Sequence, residues 1–397
     1  MEKKIYLVGG AVRDMLLGEP QSDKDYVAVG YSAEEFAHLR QVGKDFPVFL
    51  LQDGSELALA RTEKKIGAGY NGFEMHTKNV TLADDLKRRD LTINSIAYDA
   101  TCQEFIDPFK GAEDLRKKIL RHTSEAFVED PLRVLRIARF RAKYGYEWKI
   151  HASTKLLIYS MRNELRSLQK ERVYKEIEKV LLLGGTSIFF ETLFELGVLD
   201  VIFPSLYALT TLKEGSVFHL EASVFEHTMA VLRHLADESP ALKLTALYHD
   251  IAKPHCYRTY GNGANHEKVE LVEPRIEIDM PSKIKKRVLF LIASHIKIAI
   301  LDEMSANKVA SFFESFKKDR TLLVDLLRFY RADNEGRITF EPKESLDEER
   351  ILRTFEAIAS YSPQEWINAH EKPPSNEAIK QHVHAKNIAF VKELMRS

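Results

Sequence analysis

Asp23 and Asp25 stand one residue apart in "SDKDYVAV", shortly after the paired glycines of "LVGGAVRDMLLG". On a strand, alternate side chains share a face, so the two carboxylates project together with Lys24 opposite. Carboxylates that close repel each other unless a cation lies between them. Mg²⁺ suits the place, being a hard ion that takes one or two carboxylates, water and substrate phosphates. The Gly9-Gly10 turn would present backbone N–H groups to a triphosphate, with Gly10 nearest the helix start and Arg13 adding a fixed charge beside it. A solvated strand end or a plain turn could carry either feature alone. Together, at this spacing, they point to metal-assisted chemistry on a nucleotide.

A second group of chemically capable residues lies in "VFEHTMAVLRHL", "LTALYHDIAKP", "NHEKVE", "IASHIK" and "RADNEGR". His249 and Asp250 are adjacent at the end of an apolar helical run, with Lys253 after them, His227 upstream and Asp333 far downstream. Imidazole and carboxylate ligands suit Mg²⁺, Mn²⁺, Ni²⁺ or Zn²⁺ without any cysteine. A third group is basic. In "EDPLRVLRIARFRAKYG", Arg133, Arg136 and Arg139 recur every three residues on a helix that Pro131 opens, forming an inclined stripe beside Val134, Ile137 and Phe140. Stacked arginines repel, and a bound polyphosphate would relieve them.

The elements around these groups divide the chain. Up to about Arg121, "IYLVGG", "DYVAVG", "FPVFLLQ" and "ELALARTE" read as strands and "SAEEFAHLR" as a helix. Residues 61–80, with three glycines and scattered charge, read as a mobile loop. From Ser124 onward almost every run has apolar residues at three- and four-residue steps, with Gly145 and Gly184-Gly185 as helix stops and "EKPPSNEA" as a turn before a final helix. Boundaries are expected at 1–122, 123–215, 216–340 and 341–397. With 397 residues, 45% of them hydrophobic, the chain can bury more than one core. Its net charge of -1 leaves any nucleic-acid surface to a local basic track. Cys102 and Cys256 are too few for a disulfide framework or a cysteine zinc site. No apolar run reaches membrane-helix length and the start lacks a signal-peptide core, so a soluble cytoplasmic protein without membrane contact is expected.

"GGAVRD…DKD", "RRDLTIN" and "EDPLR", in that order, resemble the successive motifs of the class II tRNA nucleotidyltransferases, the CCA-adding enzymes. The ordered His…His-Asp…Asp pattern resembles an HD phosphohydrolase domain, which marks the long bacterial form of that family. The resemblance implies an α+β fold: a polymerase-β-like head, a mixed sheet with helices, followed by an all-α body that includes the HD domain. It implies template-independent addition of C, C and A to tRNA 3′ ends from CTP and ATP. Asp23 and Asp25 would hold Mg²⁺ with a third carboxylate from a neighbouring strand, Glu56 or its competitor Glu63. Asp130 and Arg133 would serve as an amino-acid template, since a carboxylate beside a guanidinium complements the amine-and-acceptor edges of cytosine and adenine and opposes uracil and guanine. Gly10, Arg13, Arg89, Arg136 and Arg139 would hold nucleotide or triphosphate, and Asp90 the ribose. The loop at 61–80 would be the element that switches C to A addition. His227, His249, Asp250 and Asp333 would bind a divalent metal, nickel among the candidates, with His266 and His295 as extra ligands. That site would hydrolyse 2′,3′-cyclic phosphodiesters, 2′-nucleotides and phosphomonoesters. The helical body would hold tRNA by its shape. Monomer and homodimer are both open. A poly(A) polymerase of the same superfamily and an HD phosphohydrolase with a nucleotide-sensing head are the rival readings.

Overall fold

The computed structural model describes residues 2–21, 23–42, 47–65, 73–213, 221–339 and 345–395, with the side chains of 63–65 and 73–75 outside the description. The chain divides into two compact units, Met1–Ile202 and Phe203–Ser397.

The first unit is built on a seven-stranded sheet of β1 (Lys4–Val8), β2 (Asp25–Val29), β3 (Arg40–Val42), β4 (Val48–Leu50), β5 (Glu56–Leu59), β8 (Ala97–Asp99) and β9 (Glu104–Ile106), in the order β3-β4-β5-β2-β1-β8-β9. It is a mixed sheet: β2 and β5 run parallel, and every other neighbouring pair is antiparallel. The alternation of "DYVAV" explains its two covered faces. Val27 and Val29 join Tyr6, Val8, Val80 and Leu86 on one side, while Ala28 joins Phe36, Phe49 and Leu57 on the other.

Two expectations change here. "SAEEFAHLR" forms only a 3-10 turn, Ala33–Phe36, closed by a capping box between Ser32 and Glu35. Arg40–Val42 is then drawn into the sheet opposite Val48–Leu50, so pairing with the next strand overrides the helical pattern. The segment 61–80 is not simply a loop. Thr62–Lys65 (β6) and Phe73–His76 (β7) pair antiparallel; "TEKK" has no apolar residue to announce a strand, and the alternation of "FEMH" spans only four positions. Residues 66–72 between them lie outside the described residues.

Helix α1 (Gly10–Leu17) follows β1 directly, and α2 (Leu82–Lys87) leads into "RRDLTIN". The arginine-bearing helix is α3 (Leu132–Tyr144), stopped by Gly145 at φ 91°. On either side of it, β10 (Ile119–Leu120) and β11 (Lys149–Ile150) pair in parallel as a small separate sheet. Helices α4 (Lys170–Leu181) and α5 (Thr186–Glu195) pack on α3. Gly185 does more than stop a helix: a Cβ there would lie 2.1 Å from the Ala142 carbonyl oxygen, so only glycine lets α5 start against α3.

The second unit is helical among its described residues. Helices α6 (Val224–His234), α7 (Pro240–Tyr248), α8 (Lys253–Tyr260), α9 (Ser282–Ala299), α10 (Ala306–Glu314), α11 (Thr321–Glu335), α12 (Glu348–Ser360) and α13 (Asn376–Leu394) are its main elements. Helix α9 packs on α7 and α11, and α6 packs on the same two. No described helix is long and apolar enough to cross a membrane.

Candidate functional site

In the first unit, the end of β1, the start of α1 and the start of β2 meet at a cavity. It is lined by Gly9, Gly10, Arg13, Asp25, Arg89, Asn94, Arg136, Arg139, Phe140 and Lys143. The antiparallel register places Val8 opposite Asp25, which sets the carboxylate beside the glycine turn. Gly9 holds φ 73°, and a Cβ there would sit 3.2 Å from Arg89 Nη1 and 3.6 Å from Asp25 Oδ2. Gly9→Ala is therefore expected to destabilise the protein by about 1–2 kcal/mol and to displace Arg89. A lowered midpoint in urea together with a raised KM for nucleotide would show this.

Each arginine of the cavity is held by a specific partner. Arg13 donates from Nε and Nη2 to Asp14, at 2.9 and 2.7 Å, and from Nη1 to Asn94 at 2.7 Å. Its guanidinium lies 5.3 Å from the Phe140 ring centre, and that of Arg139 lies 4.9 Å from the same ring. Arg136 donates to Asp90 at 2.7 Å and Arg139 to Glu176 at 2.8 Å. Arg89 donates to the fully buried Asp85 at 3.2 Å, while its buried Nε has no hydrogen-bond partner among the described residues. Carboxylates inside the protein thus orient a ring of cations toward one space, the arrangement that suits a triphosphate.

Glu56 stands in register beside Asp25, because β5 runs parallel to β2. Crowding by the surrounding protein and the Glu56 charge raise the Asp25 carboxyl pKa, against the pull of Arg89. A divalent cation would reverse that shift, so the donor set fits Mg²⁺. Asp23 precedes β2 rather than lying on it. The pair is therefore a strand end and the bend before it, not two alternate strand residues.

In the second unit, His227 comes from α6, His249 and Asp250 from the turn after α7, His266 from the segment after α8, His295 from α9 and Asp333 from α11. All six are buried. His227 Nε2 is 3.0 Å and His249 Nε2 3.4 Å from Asp333 Oδ1. His249 Nε2 is 3.2 Å from Asp250 Oδ2, and His266 Nε2 is 3.2 Å from Asp250 Oδ1. Lys253 Nζ stands 3.0 Å from Asp250 Oδ2, and Arg337 pairs with Asp333. The Nδ1 atoms of His249, His266 and His295 meet the carbonyls of Ala246, Gly263 and Ile292 at 2.8, 2.7 and 2.6 Å. A carbonyl only accepts, so each of these rings carries a proton on Nδ1 and turns its Nε2 toward the cluster. His249 Nε2 is buried without a well-formed hydrogen bond, as a ligand lacking its metal would be. Burial alone would lower the His249 pKa, but the Asp250 and Asp333 carboxylates overcome it and push it up to about 10. Burial and the neighbouring imidazoles push His295 down to about 3.

Residues 5–121 match the model of the poly A polymerase head domain, and residues 148–209 match that of the probable RNA and SrmB-binding site of polymerase A. Over 382 residues the chain is 39% identical to a protein of Shewanella frigidimarina called Multifunctional CCA protein, covering 92% of each. The chain belongs to the multifunctional CCA protein family. A second family member, from Paraburkholderia phymatum, is 36% identical across 98% of this chain and 97% of its own. In fold the chain resembles the Thermotoga maritima CCA-adding enzyme complexed with tRNA, with a TM-score of 0.62 at 20% identity over 99% of this chain and 87% of that one. It also resembles the Bacillus stearothermophilus CCA-adding enzyme in complex with CTP, with a TM-score of 0.60 at 22% identity over 98% and 89%.

For this member of the multifunctional CCA protein family, the structure gathers Gly10, Arg13, Asp25, Arg89, Arg136 and Arg139 at one cavity. Three expected residues are placed differently. Asp90 is buried, with one oxygen taken by Arg136 and the other by Asn94 and the Leu91 N–H. Burial pushes its carboxyl up, but the Arg136 charge together with the hydrogen bonds from Asn94, Arg136 and the Leu91 N–H drives it down to about 2. It positions Arg136 and presents no oxygen to the cavity. Arg133 donates to the carbonyls of Ala126 and Arg88, at 2.6 and 2.7 Å, and Asp130 is gripped by Arg172 at 3.1 and 3.2 Å. Neither lines the cavity. Much of the mutual repulsion expected along the arginine stripe is met inside the protein by Asp90, Glu176 and backbone carbonyls. The side chain of Glu63 lies outside the described residues.

Lys143 is the charged cavity group that the sequence did not single out. Two turns past Arg136 on α3, it continues the same face, which was its only signal. Its nearest carboxylates, Glu19 and Asp14, are 3.6 and 3.9 Å away, loose contacts that a phosphate oxygen could displace. For the nucleotidyl transfer proposed below, Lys143→Met is expected to raise KM for each nucleotide by about tenfold with kcat little changed, the loss of one charge-assisted contact. A change confined to one nucleotide would contradict this role.

Proposed function

We propose that the protein completes tRNA in the cytoplasm, adding C, C and A to the 3′ end from CTP and ATP without a nucleic-acid template. The observation that carries this is the cavity where Arg13, Arg89, Arg136, Arg139 and Lys143 surround Asp25 beside a glycine turn. It lies in a chain 39% identical to a protein called Multifunctional CCA protein. Arginines 13, 89, 136 and 139 and Lys143 neutralise the triphosphate. Asp23, Asp25 and Glu56 would hold Mg²⁺, whose charge assists displacement at the α-phosphorus by the tRNA 3′-hydroxyl, with pyrophosphate leaving. Base choice is assigned to Asp130 and Arg133: the Asp130 oxygens accept an exocyclic amine, and Arg133, its plane fixed by two carbonyls, donates to N3 of cytosine or N1 of adenine.

The second site is proposed as a metal-dependent phosphohydrolase acting on 2′,3′-cyclic phosphodiesters, 2′-nucleotides and phosphomonoesters, with Ni²⁺ among its ions. Its support is the buried set of inward Nε2 atoms and carboxylates, with Lys253 and Arg337 at the same cavity to receive a phosphate. Incubating the protein with tRNA lacking its terminal trinucleotide, Mg²⁺ and each labelled nucleotide tests the first reading. Incorporation of C, C, then A, followed by a stop, supports it. Long A tails would mean a poly(A) polymerase, and no incorporation a head that only senses nucleotide.

A further inference from the structure

We infer that the second unit carries a binding site for a single-chain carboxylate amphiphile, a fatty acid, in the groove between α9 and α10. Neither proposed activity uses this groove, and none of its lining residues lines the histidine–aspartate cavity. It arises because α9 packs on α7 and α11 while α10 packs on α12 and α13, which leaves the wedge between α9 and α10 open beside the Leu301–Glu303 turn. Its volume is about 570 Å³, twice the 280 Å³ of the nucleotide cavity and in the range of small-molecule sites.

The floor is apolar: Phe290, Ala293, Ile300, Met304 and Phe312. Phe316 braces Phe290 and Phe312 edge-on, at 5.1 and 5.0 Å between ring centres, so the floor is preformed. The polar groups of the groove are unspent donors. Ser294 is only 6% exposed, yet its hydroxyl has no hydrogen-bond partner among the described residues. A hydroxyl buried in this way is costly until a ligand completes it. Lys297 on one wall and Lys308 on the other form no salt bridge among the described residues, and no carboxylate lines the groove. Asn307 has its Oδ1 taken by His384 at 2.7 Å, which leaves its amide N–H groups as donors. An apolar floor ringed by donors complements an apolar chain that ends in an anion. A second copy docked face to face would bring four ammonium groups together with no acid from the groove between them, and an RNA strand would leave the floor uncovered.

The test is calorimetric titration of the full chain with dodecanoate below its micelle concentration. The expected result is one dodecanoate per chain. Decanoate should bind about 15-fold more weakly, at about fourfold per methylene, and dodecanol about tenfold more weakly for want of the charge. Lys297→Gln with Lys308→Gln, both at exposed positions, should reduce dodecanoate to the affinity of dodecanol and leave dodecanol unchanged. Ala293→Trp should abolish binding of both by filling the groove, with an unchanged urea midpoint as the check on folding. No binding, equal affinity for acid and alcohol, or indifference to chain length or to the lysines overturns the site. Displacement of dodecanoate by tRNA overturns it in favour of an RNA surface. Self-association of the protein that Ala293→Trp abolishes overturns it in favour of an interface between copies.

Discussion

Asp25→Ala is expected to lower CMP and AMP incorporation into tRNA by about 10³-fold or more while hydrolysis by the second unit continues unchanged. The magnitude follows from removing a metal carboxylate: several kcal/mol of transition-state charge stabilisation is lost, at about 1.4 kcal/mol per factor of ten. Both nucleotides should suffer equally, since Asp25 lies beside the glycine turn, away from the pair assigned to base choice. Asp23→Ala should act in the same direction. The wild-type protein adds a pH signature. Because crowding and Glu56 raise the Asp25 pKa, the carboxylate form is lost at a higher pH than for an ordinary aspartate. A cation binding there favours the ionised form, so the acid limb of incorporation should move to lower pH as Mg²⁺ is increased. Gel analysis of labelled tRNA across pH and Mg²⁺ checks both effects. Loss of incorporation and hydrolysis together in Asp25→Ala would mean that the two activities share one site.

His249→Ala should abolish hydrolysis of 2′,3′-cyclic phosphodiesters, by about 10³-fold or more, and leave nucleotide incorporation intact; chelation should have the same effect on hydrolysis in the native protein. Without metal, His249 is held protonated up to about pH 10 by Asp250 and Asp333. A metal ion must displace that proton. The sign is therefore fixed: apparent metal affinity rises with pH, by up to about tenfold per unit below pH 10, and binding at neutral pH releases a proton. Calorimetric titration of the metal-free protein in buffers of different ionisation enthalpy measures the release directly. His295, kept neutral down to about pH 3, should contribute no proton. Binding that is indifferent to pH between 6 and 9 would exclude His249 as a ligand.

Legibility in the sequence followed the physical range of each signal. The strands at Lys4–Val8, Asp25–Val29 and Glu56–Leu59 were readable because their apolar residues alternate or run together over a few positions. The spacing of His249, Asp250 and Lys253 was likewise local. The exchange of Ala33–Leu39 from helix to turn was not readable, since Arg40–Val42 has no apolar alternation of its own and enters the sheet only by pairing with the Val48–Leu50 strand. Arg133, Arg136 and Arg139 announced a basic face, but which carboxylates would meet it depended on contacts across about forty residues, Asp90 to Arg136 and Glu176 to Arg139. His266 and His295 showed no motif of their own. Their candidacy as extra ligands came from the family pattern, and the fold joins them: α9 and the segment after α8 bring their rings within 5.1 Å, centre to centre.

The two-residue parallel clip of β10 and β11 bears on how this protein can be dissected. It fastens the chain just before the Asp130 turn to the chain just after α3, so the arginine helix is a closed stitch in the fabric of the first unit. A fragment cut after residue 122 keeps one edge of that stitch and discards the other, along with Arg136, Arg139 and Lys143. The seam for a self-sufficient piece is at Ile202, and engineering that swaps nucleotide preference between relatives should exchange everything up to that point in one piece.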